Sequence, residues 1–199
     1  PRLTRVMMDA EKLQVTENCA KLCALLSEGE IETQDALDGL AKTRLQAATL
    51  KLYERILSNF KKGGTRPDSM DISRAFLSGF PDRVARRRAS SNELVFSFGG
   101  SITADPKNDQ NLHGDNFVIL ALRENAHAGA KGKLTLDAVL PIQEEWLFDM
   151  QPVGVTEKSI AIWDRTRERA TAVERLHYDE LILSESPTDK VDPAEIARV

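Results

Sequence analysis

Around Ser90 the spacing of apolar residues changes, and that change constrains the fold more than any other feature of the chain. Before it, apolar residues recur every three or four positions, as on one face of a helix. After it they alternate or run together, as in strands. That order predicts an α+β protein, an N-terminal all-α helical bundle followed by a small antiparallel β-barrel. The boundary is expected between residues 86 and 92. This gives a helical unit over 1–89, a β unit over 90–187 and a polar tail over 188–199.

In the first half, Leu3, Val6, Met7, Ala10 and Leu13 predict a helix over 2–14. Thr16 is placed to cap the next helix, which carries Cys19, Leu22, Cys23, Leu25 and Leu26 and ends at Gly29. Thr33 is the expected cap of a long helix over 34–62. Leu37, Leu40, Ala41, Leu45, Ala48, Leu52, Ile56, Leu57 and Phe60 form its buried stripe. Lys42, Arg44, Lys51 and Arg55 fall on its wet face, and Lys61-Lys62 with Gly63-Gly64 close it. A further helix, capped by Asp71 and ending at Gly79, buries Ile72, Ala75 and Phe76.

In the second half, Leu94–Phe98 and Ser101–Ala104 flank Gly99-Gly100, a strong hairpin signal. Phe117–Leu122 is continuous enough for a central strand, and Lys133–Val139 alternates cleanly. Pro141 is expected to open a short helix through Trp146, Leu147 and Phe148. Ile160–Trp163 is a strand, and residues 169–176 and 180–184 make one long strand or two shorter ones. The OB-fold is one barrel that fits such a series, and composition does not separate it from other small β domains.

Charge divides the chain as the pattern does. Residues 1–88 hold 16 Lys and Arg against 12 Asp and Glu, whereas residues 89–199 hold 11 against 19. The second half, at a net −8, does not suit a broad nucleic-acid surface. Cys19 and Cys23, four apart on a helix, are too few for a disulfide framework and read as small core residues. There is no G-x-x-x-x-G-K-[ST] phosphate loop. His113, His127 and His177 are spread along the chain and read as surface residues. Glu144-Glu145 and Asp179-Glu180 are adjacent pairs, which diverge on a helix or strand and do not make an acid–base couple. Phe96, Phe98, Phe117 and Trp163 would stack on bases if they faced outward, but on strands the core is their expected place. Without a nucleophile beside a base, a small hydrolase is the weakest reading.

The densest positive charge is Phe80-Pro81-Asp82-Arg83-Val84-Ala85-Arg86-Arg87-Arg88. Pro81 suits the first turn of a short helix, which would bring Arg83 and Arg87 to one face. Arg83, Arg86, Arg87 and Arg88 are therefore the candidate nucleic-acid contacts, with Lys131 and Lys133 as a second one. The alternative is structural: a linking helix whose arginine stems lie on a neighbouring core.

The same run resembles the Pro-Asp-Arg-x-Ala-x-x-Arg segment of bacterial HrpB-type DExH-box ATP-dependent helicases. Pro1–Met8 resembles that family's Pro-Arg-Leu helix, Leu25–Glu28 its Leu-Leu-Ser-Glu segment, and Phe117–Leu122 its Trp-Leu-Val-Val-Ala strand. Trp163-Asp164 and Leu181–Pro187 resemble its closing strands. Departures are Gly99-Gly100-Ser101 for a Gly-Arg-Gly hairpin, Phe117 for a tryptophan and Asp179-Glu180-Leu181 for Gly-Ala-Leu. The resemblance implies a C-terminal fragment holding a helical bundle and an OB-like domain. Motor domains that bind ATP and Mg²⁺ would lie upstream, so this part alone would neither bind nor hydrolyse ATP. The implied role is an accessory one, guiding or regulating single-strand passage. Because no apolar run reaches membrane-spanning length and Arg2, Arg5 and Asp9 interrupt the start, a cytoplasmic protein is expected, as a monomer. The implied partners are single-stranded nucleic acid, bound weakly, and the motor domains of the same chain, with no membrane. The competing reading is a protein-interaction module that uses the acidic OB-like half.

Overall fold

A computed structural model describes residues 1–31, 33–63, 68–104, 112–125, 133–150, 154–165 and 167–191. Five helices come first: α1 (Arg2–Lys12), α2 (Thr16–Glu28), α3 (Ala36–Lys42), α4 (Ala47–Leu57) and α5 (Ser69–Gly79). The strands follow: β1 (Val84–Arg87), β2 (Glu93–Phe96), β3 (Ser101–Thr103), β4 (Asn116–Asn125), β5 (Lys133–Ile142), β6 (Val155–Asp164), β7 (Arg169–Tyr178) and β8 (Leu181–Pro187). A 3₁₀ turn, Glu144–Asp149, joins β5 to β6. The α+β order of helical bundle, then OB-like antiparallel sheet, is the one the sequence predicts. The strands form two sheets, ordered β3-β2-β1-β4-β5 and β6-β7-β8. The first curls until its outer strands β3 and β5 approach each other.

The bundle is built around α2, whose Cys19, Ala20, Leu22, Cys23, Ala24 and Leu25 are all buried. Gly29 ends it at φ 68°, a left-handed conformation that glycine adopts without strain. Cys19 and Cys23 are unpaired thiols in this core, as expected. Burial pushes both upward, Cys23 to about 12. Helices α1 and α5 touch at Gly79, where a Cβ would sit 2.5 Å from Val6 Cγ2 and 2.8 Å from the Arg2 carbonyl oxygen.

The long helix expected over 34–62 is two helices. Thr43 and Gln46 have extended backbone, with ψ 124° and 169°. An unbroken helix would be about 44 Å long, at 1.5 Å per residue, twice the length of α2. The break lets α3 and α4 both pack on α2. The caps also differ from those expected. Asp35, not Thr33, accepts from Leu37 N and Asp38 N, while the Thr33 hydroxyl donates to the Asp35 carbonyl. Asp68, not Asp71, caps α5, and Asp71 lies in the first turn, where negative charge suits the helix dipole. Val15 precedes α2, and the Thr16 hydroxyl is buried in its first turn. Helix α4 stops at Leu57, ahead of Lys61-Lys62. Gly63 instead permits a close approach to Gln14, whose carbonyl oxygen would lie 2.3 Å from a Cβ there; Gly64 falls outside the described residues.

The helix expected from Pro81 does not form. Val84–Arg87 is β1, paired with β2 through Ala85↔Phe96 and with β4 through Ala85↔Phe117. A central strand is fixed by neighbours on both edges, and this overrides a helical spacing of arginines. The change from helix to strand therefore falls at Phe80–Arg83. Ser90, at φ 57°, belongs to the turn between β1 and β2, so the sheet begins before the boundary expected at 86–92. Side chains of β1 alternate between two cores. Val84 joins the core shared with the helices, beside Val118 and Leu140, and Ala85 joins the one inside the curled sheet, with Phe96, Phe117 and Ile119.

A hairpin forms at Gly99-Gly100, with φ 89° and 83°, but β2 ends at Phe96 and Phe96 N donates to the Gly100 carbonyl, so the turn is longer than two residues and Phe98 lies in it rather than on a strand; β4 is the predicted central strand. Pro141 does not open the short helix, which starts at Glu144. Pro141 lies within β5, opposite Phe117. Val139 N donates away from β4, to the Gln34 carbonyl. By strand alternation the missing N–H of Pro141 falls on that same outer side, where no ladder bond is lost. Residues 169–184 resolve into β7 and β8, which turn at Asp179, φ 55°.

Candidate nucleic-acid interface

The four arginines of the central run are divided by the pleat of β1. Arg83, just ahead of the strand, lies with its guanidinium 5.6 Å from the Phe80 ring centroid. The junction is also held by Arg2, which donates two hydrogen bonds to the Asp82 carboxylate at 2.6 and 2.8 Å and lies 5.4 Å from the Phe80 ring centroid. The hydrogen bond from Arg2 holds Asp82 below the usual carboxylate range.

Arg86 points to the face it shares with Val84. Its guanidinium donates to the Ile182 and Leu183 carbonyls of β8, at 3.3 and 2.5 Å, and lies 3.5 Å from Glu144. Arg87 points to the other face. It donates to the Leu112 carbonyl at 3.0 Å and the Gly114 carbonyl at 3.4 Å, and lies 5.6 Å from the Phe117 ring centroid. Arg88 is exposed and pairs with Glu93 across the turn at 2.7 Å. The run is thus not one basic patch: Arg86 and Arg87 face opposite sides and are fixed by backbone oxygens. Lys131 lies outside the described residues; Lys133 opens β5 opposite Asn125. The second sheet is tied to the same junction by Tyr178, whose buried hydroxyl donates to the Pro81 carbonyl at 2.5 Å. Burial pushes that phenol upward.

The aromatic residues separate into two pairs. Phe96 and Phe117 are buried, but Phe98 and Trp163, expected in the core, are 48% and 52% exposed. Phe98 stacks on Phe96 with centroids 4.8 Å apart. Trp163 stands next to a turn that the sequence reading passed over, where Arg165, Arg167 and Arg169 occupy every second position and are exposed. The available signal was an aromatic residue followed at once by alternating arginines in an otherwise acidic half. His113 is exposed and His177 half-buried, its pKa lowered by burial first and by Lys158 and Arg175 next; His127 lies outside the described residues. Among the described residues, no three His, Cys, Asp or Glu side chains gather as a metal site. No described helix is long and apolar enough to cross a membrane.

No family model matches the chain. The ATP-dependent RNA helicase HrpB of Escherichia coli (strain K12) is 24% identical to it over 196 residues, which is 98% of this chain and 24% of the helicase. The chain matches a segment of an HrpB-type helicase. Two solved structures agree in fold. The E. coli DExH-box NTPase HrpB superposes with a TM-score of 0.71 at 21% identity, and the E. coli DEAH/RHA helicase HrpB with 0.72 at 20%. Each covers 98% of this chain and 24% of its own. The chain therefore spans about a quarter of the length of the HrpB proteins it matches.

Proposed function

We propose that this chain is the accessory region of an ATP-dependent nucleic-acid helicase, packed beside a motor that supplies the ATP chemistry, and that it guides or regulates single-strand passage. The observation that supports this most is the match from end to end, in sequence and in fold, to one segment of HrpB. Helices and sheet share one continuous core, from Val6 and Leu22 through Val84 and Leu140 to Leu183. A region built that way presents its surfaces in fixed relation, which a strand guide requires. Its own contribution is to hold and orient the strand, not to make or break bonds.

The rival reading, a protein-interaction module, draws on the net −8 of residues 89–199. A salt titration of this chain with single-stranded RNA and DNA separates the two. Weak binding to a single strand, falling steeply as salt rises, is expected of the strand guide. A folded chain that binds neither strand at low salt would reject strand guidance and favour the protein-binding alternative.

A further inference from the structure

The turn between β6 and β7 is built unlike any other part of the second sheet. The sheet joins the body at its inner end, where Tyr178, Leu181 and Leu183 enter the core shared with the helices. At 10 residues, β6 and β7 run about 33 Å outward from there. Strand β8 pairs with β7 from Val173 to Tyr178, and just past it Thr188 N donates to the Ala172 carbonyl at 3.1 Å. Beyond Ala172 the ladder among the described residues is that of β6 and β7 alone. On one of its faces Trp163 lies opposite Ala170, and Ala161 opposite Ala172. Beside these three small neighbours the large ring is 52% exposed, and among the described residues no aromatic ring or guanidinium stacks on it. Arg165, Arg167 and Arg169 follow at the turn, all exposed, and with Trp163 they border one groove of about 1020 Å³. Arg167 lies 3.7 Å from Asp164. No ion pair holds Arg165 or Arg169 among the described residues. The groove's acidic members are Asp164, which pairs with Arg167, and Glu185 and Asp189, which lie on and beyond β8; Glu185 is engaged by Arg175 at 2.6 Å.

We propose that this hairpin end is a single-strand contact: one unstacked base lies on the Trp163 ring, and the phosphates beside it are met by Arg165 and Arg169. An exposed tryptophan beside exposed guanidinium groups suits that ligand class, because every base has a stacking face and every linkage a negative charge. Charge complementarity selects a nucleic acid over a neutral partner. Fixing the aromatic on a β-ribbon anchored about 30 Å away holds the contact clear of the body. The proposal rests on the strand-guiding reading and locates it on the molecule.

The test uses this chain with short oligouridylate and oligothymidylate, titrated at several salt concentrations. In a Trp146→Phe background Trp163 is the sole tryptophan, and its emission is expected to fall as a base stacks on it. Trp163→Ala is expected to weaken binding about tenfold, within what one base stack contributes. Trp163→Phe, which keeps a stacking face, restores most of the loss. Arg165→Gln with Arg169→Gln is expected to make the log–log salt slope shallower by about 1.4, at about 0.7 for each phosphate contact on a single strand. Unchanged affinity in all these variants, while the chain still binds strands, overturns the hairpin contact and leaves the strand-guiding reading standing. Loss of binding to polyglutamate but not to the oligonucleotides overturns it in favour of an acidic protein partner. A folded chain that binds no strand at any salt overturns both.

Discussion

Arg86 and Arg87 of β1 place their guanidinium groups on backbone carbonyls within the molecule, whereas Arg165 and Arg169 of the β6–β7 turn stand exposed without ion-pair partners among the described residues. The two stretches look alike as sequence, and the first is the denser. What separates them is topology. Strand β1 is flanked on both edges by β2 and β4, so its side chains stand over two cores and must find partners there. The β6–β7 turn outruns β8, and its three arginines are exposed. Local charge density therefore marks where cations are, and the neighbouring strands decide whether they bind the protein or something else.

Removing the first group should break the comparison most visibly. With Arg86, Arg87 and Arg88 all changed to alanine, the chain should lose about 4 kcal/mol of stability, since hydrogen bonds from charged groups contribute roughly 1.5–3 kcal/mol each where they are sheltered. For a chain of this size that is a fall in melting temperature of about 12 °C. If melting stays within a degree or two while the salt slope for strand binding becomes shallower, these arginines serve phosphates and the contrast with the hairpin is lost.

A smaller effect sharpens the same contrast from the second sheet. Tyr178→Phe removes the hydroxyl that bonds the Pro81 carbonyl and should cost about 1 kcal/mol. Amide exchange should quicken at the inner end of β7 and β8 and stay unchanged near Trp163. Uniform acceleration along the hairpin would mean that the outer end depends on the junction after all.

Much of this was legible in the sequence wherever a local signal decides the structure. Gly29 and Gly99-Gly100 need left-handed backbone, and Phe117–Leu122 and Lys133–Val139 carry strand patterns that nothing nearby contradicts. The failures share a cause. Val84–Arg87 is a strand because β2 and β4 need one between them, and Thr43–Gln46 breaks a continuous apolar stripe because α2 is short. Neither partner is visible from inside those segments. For the candidate interface the sequence located arginines but not their neighbours. Arg86 cannot be seen to reach β8, almost a hundred residues away, and Trp163 cannot be seen to stand half exposed.

Acid should separate the junction from the hairpin more gently. The Arg2 hydrogen bond lowers the folded-state pKa of Asp82. A carboxylate lowered in this way adds stability that is present above its unfolded pKa, near 3.9, and is lost as pH falls through the folded value. The pair is nearly half exposed, so its share after solvent screening is about 0.5 kcal/mol. Arg2→Ala should melt below the parent chain at neutral pH, and the gap should narrow below about pH 4. A gap that persists in acid would assign Arg2's contribution to its contact with Phe80.

The smallest expected effect is the most discriminating. Changing Arg165, Arg167 and Arg169 together to alanine should leave stability within about 0.5 kcal/mol, the ordinary range for exposed positions. Arg167 gives up one exposed ion pair with Asp164, worth a few tenths of a kcal/mol at most, and Arg165 and Arg169 give up none among the described residues. The ladder from Val155↔Tyr178 to Asp164↔Arg169 is made by backbone groups and survives truncation of the side chains. Alanine strengthens a strand less than arginine only weakly, and at a turn hardly at all. A drop in melting temperature comparable to that of the β1 variant would show that the hairpin arginines are also built into the fold, and the distinction between the two clusters would collapse. Unchanged melting together with a shallower salt slope for single strands would place binding and stability on different arginines of one chain.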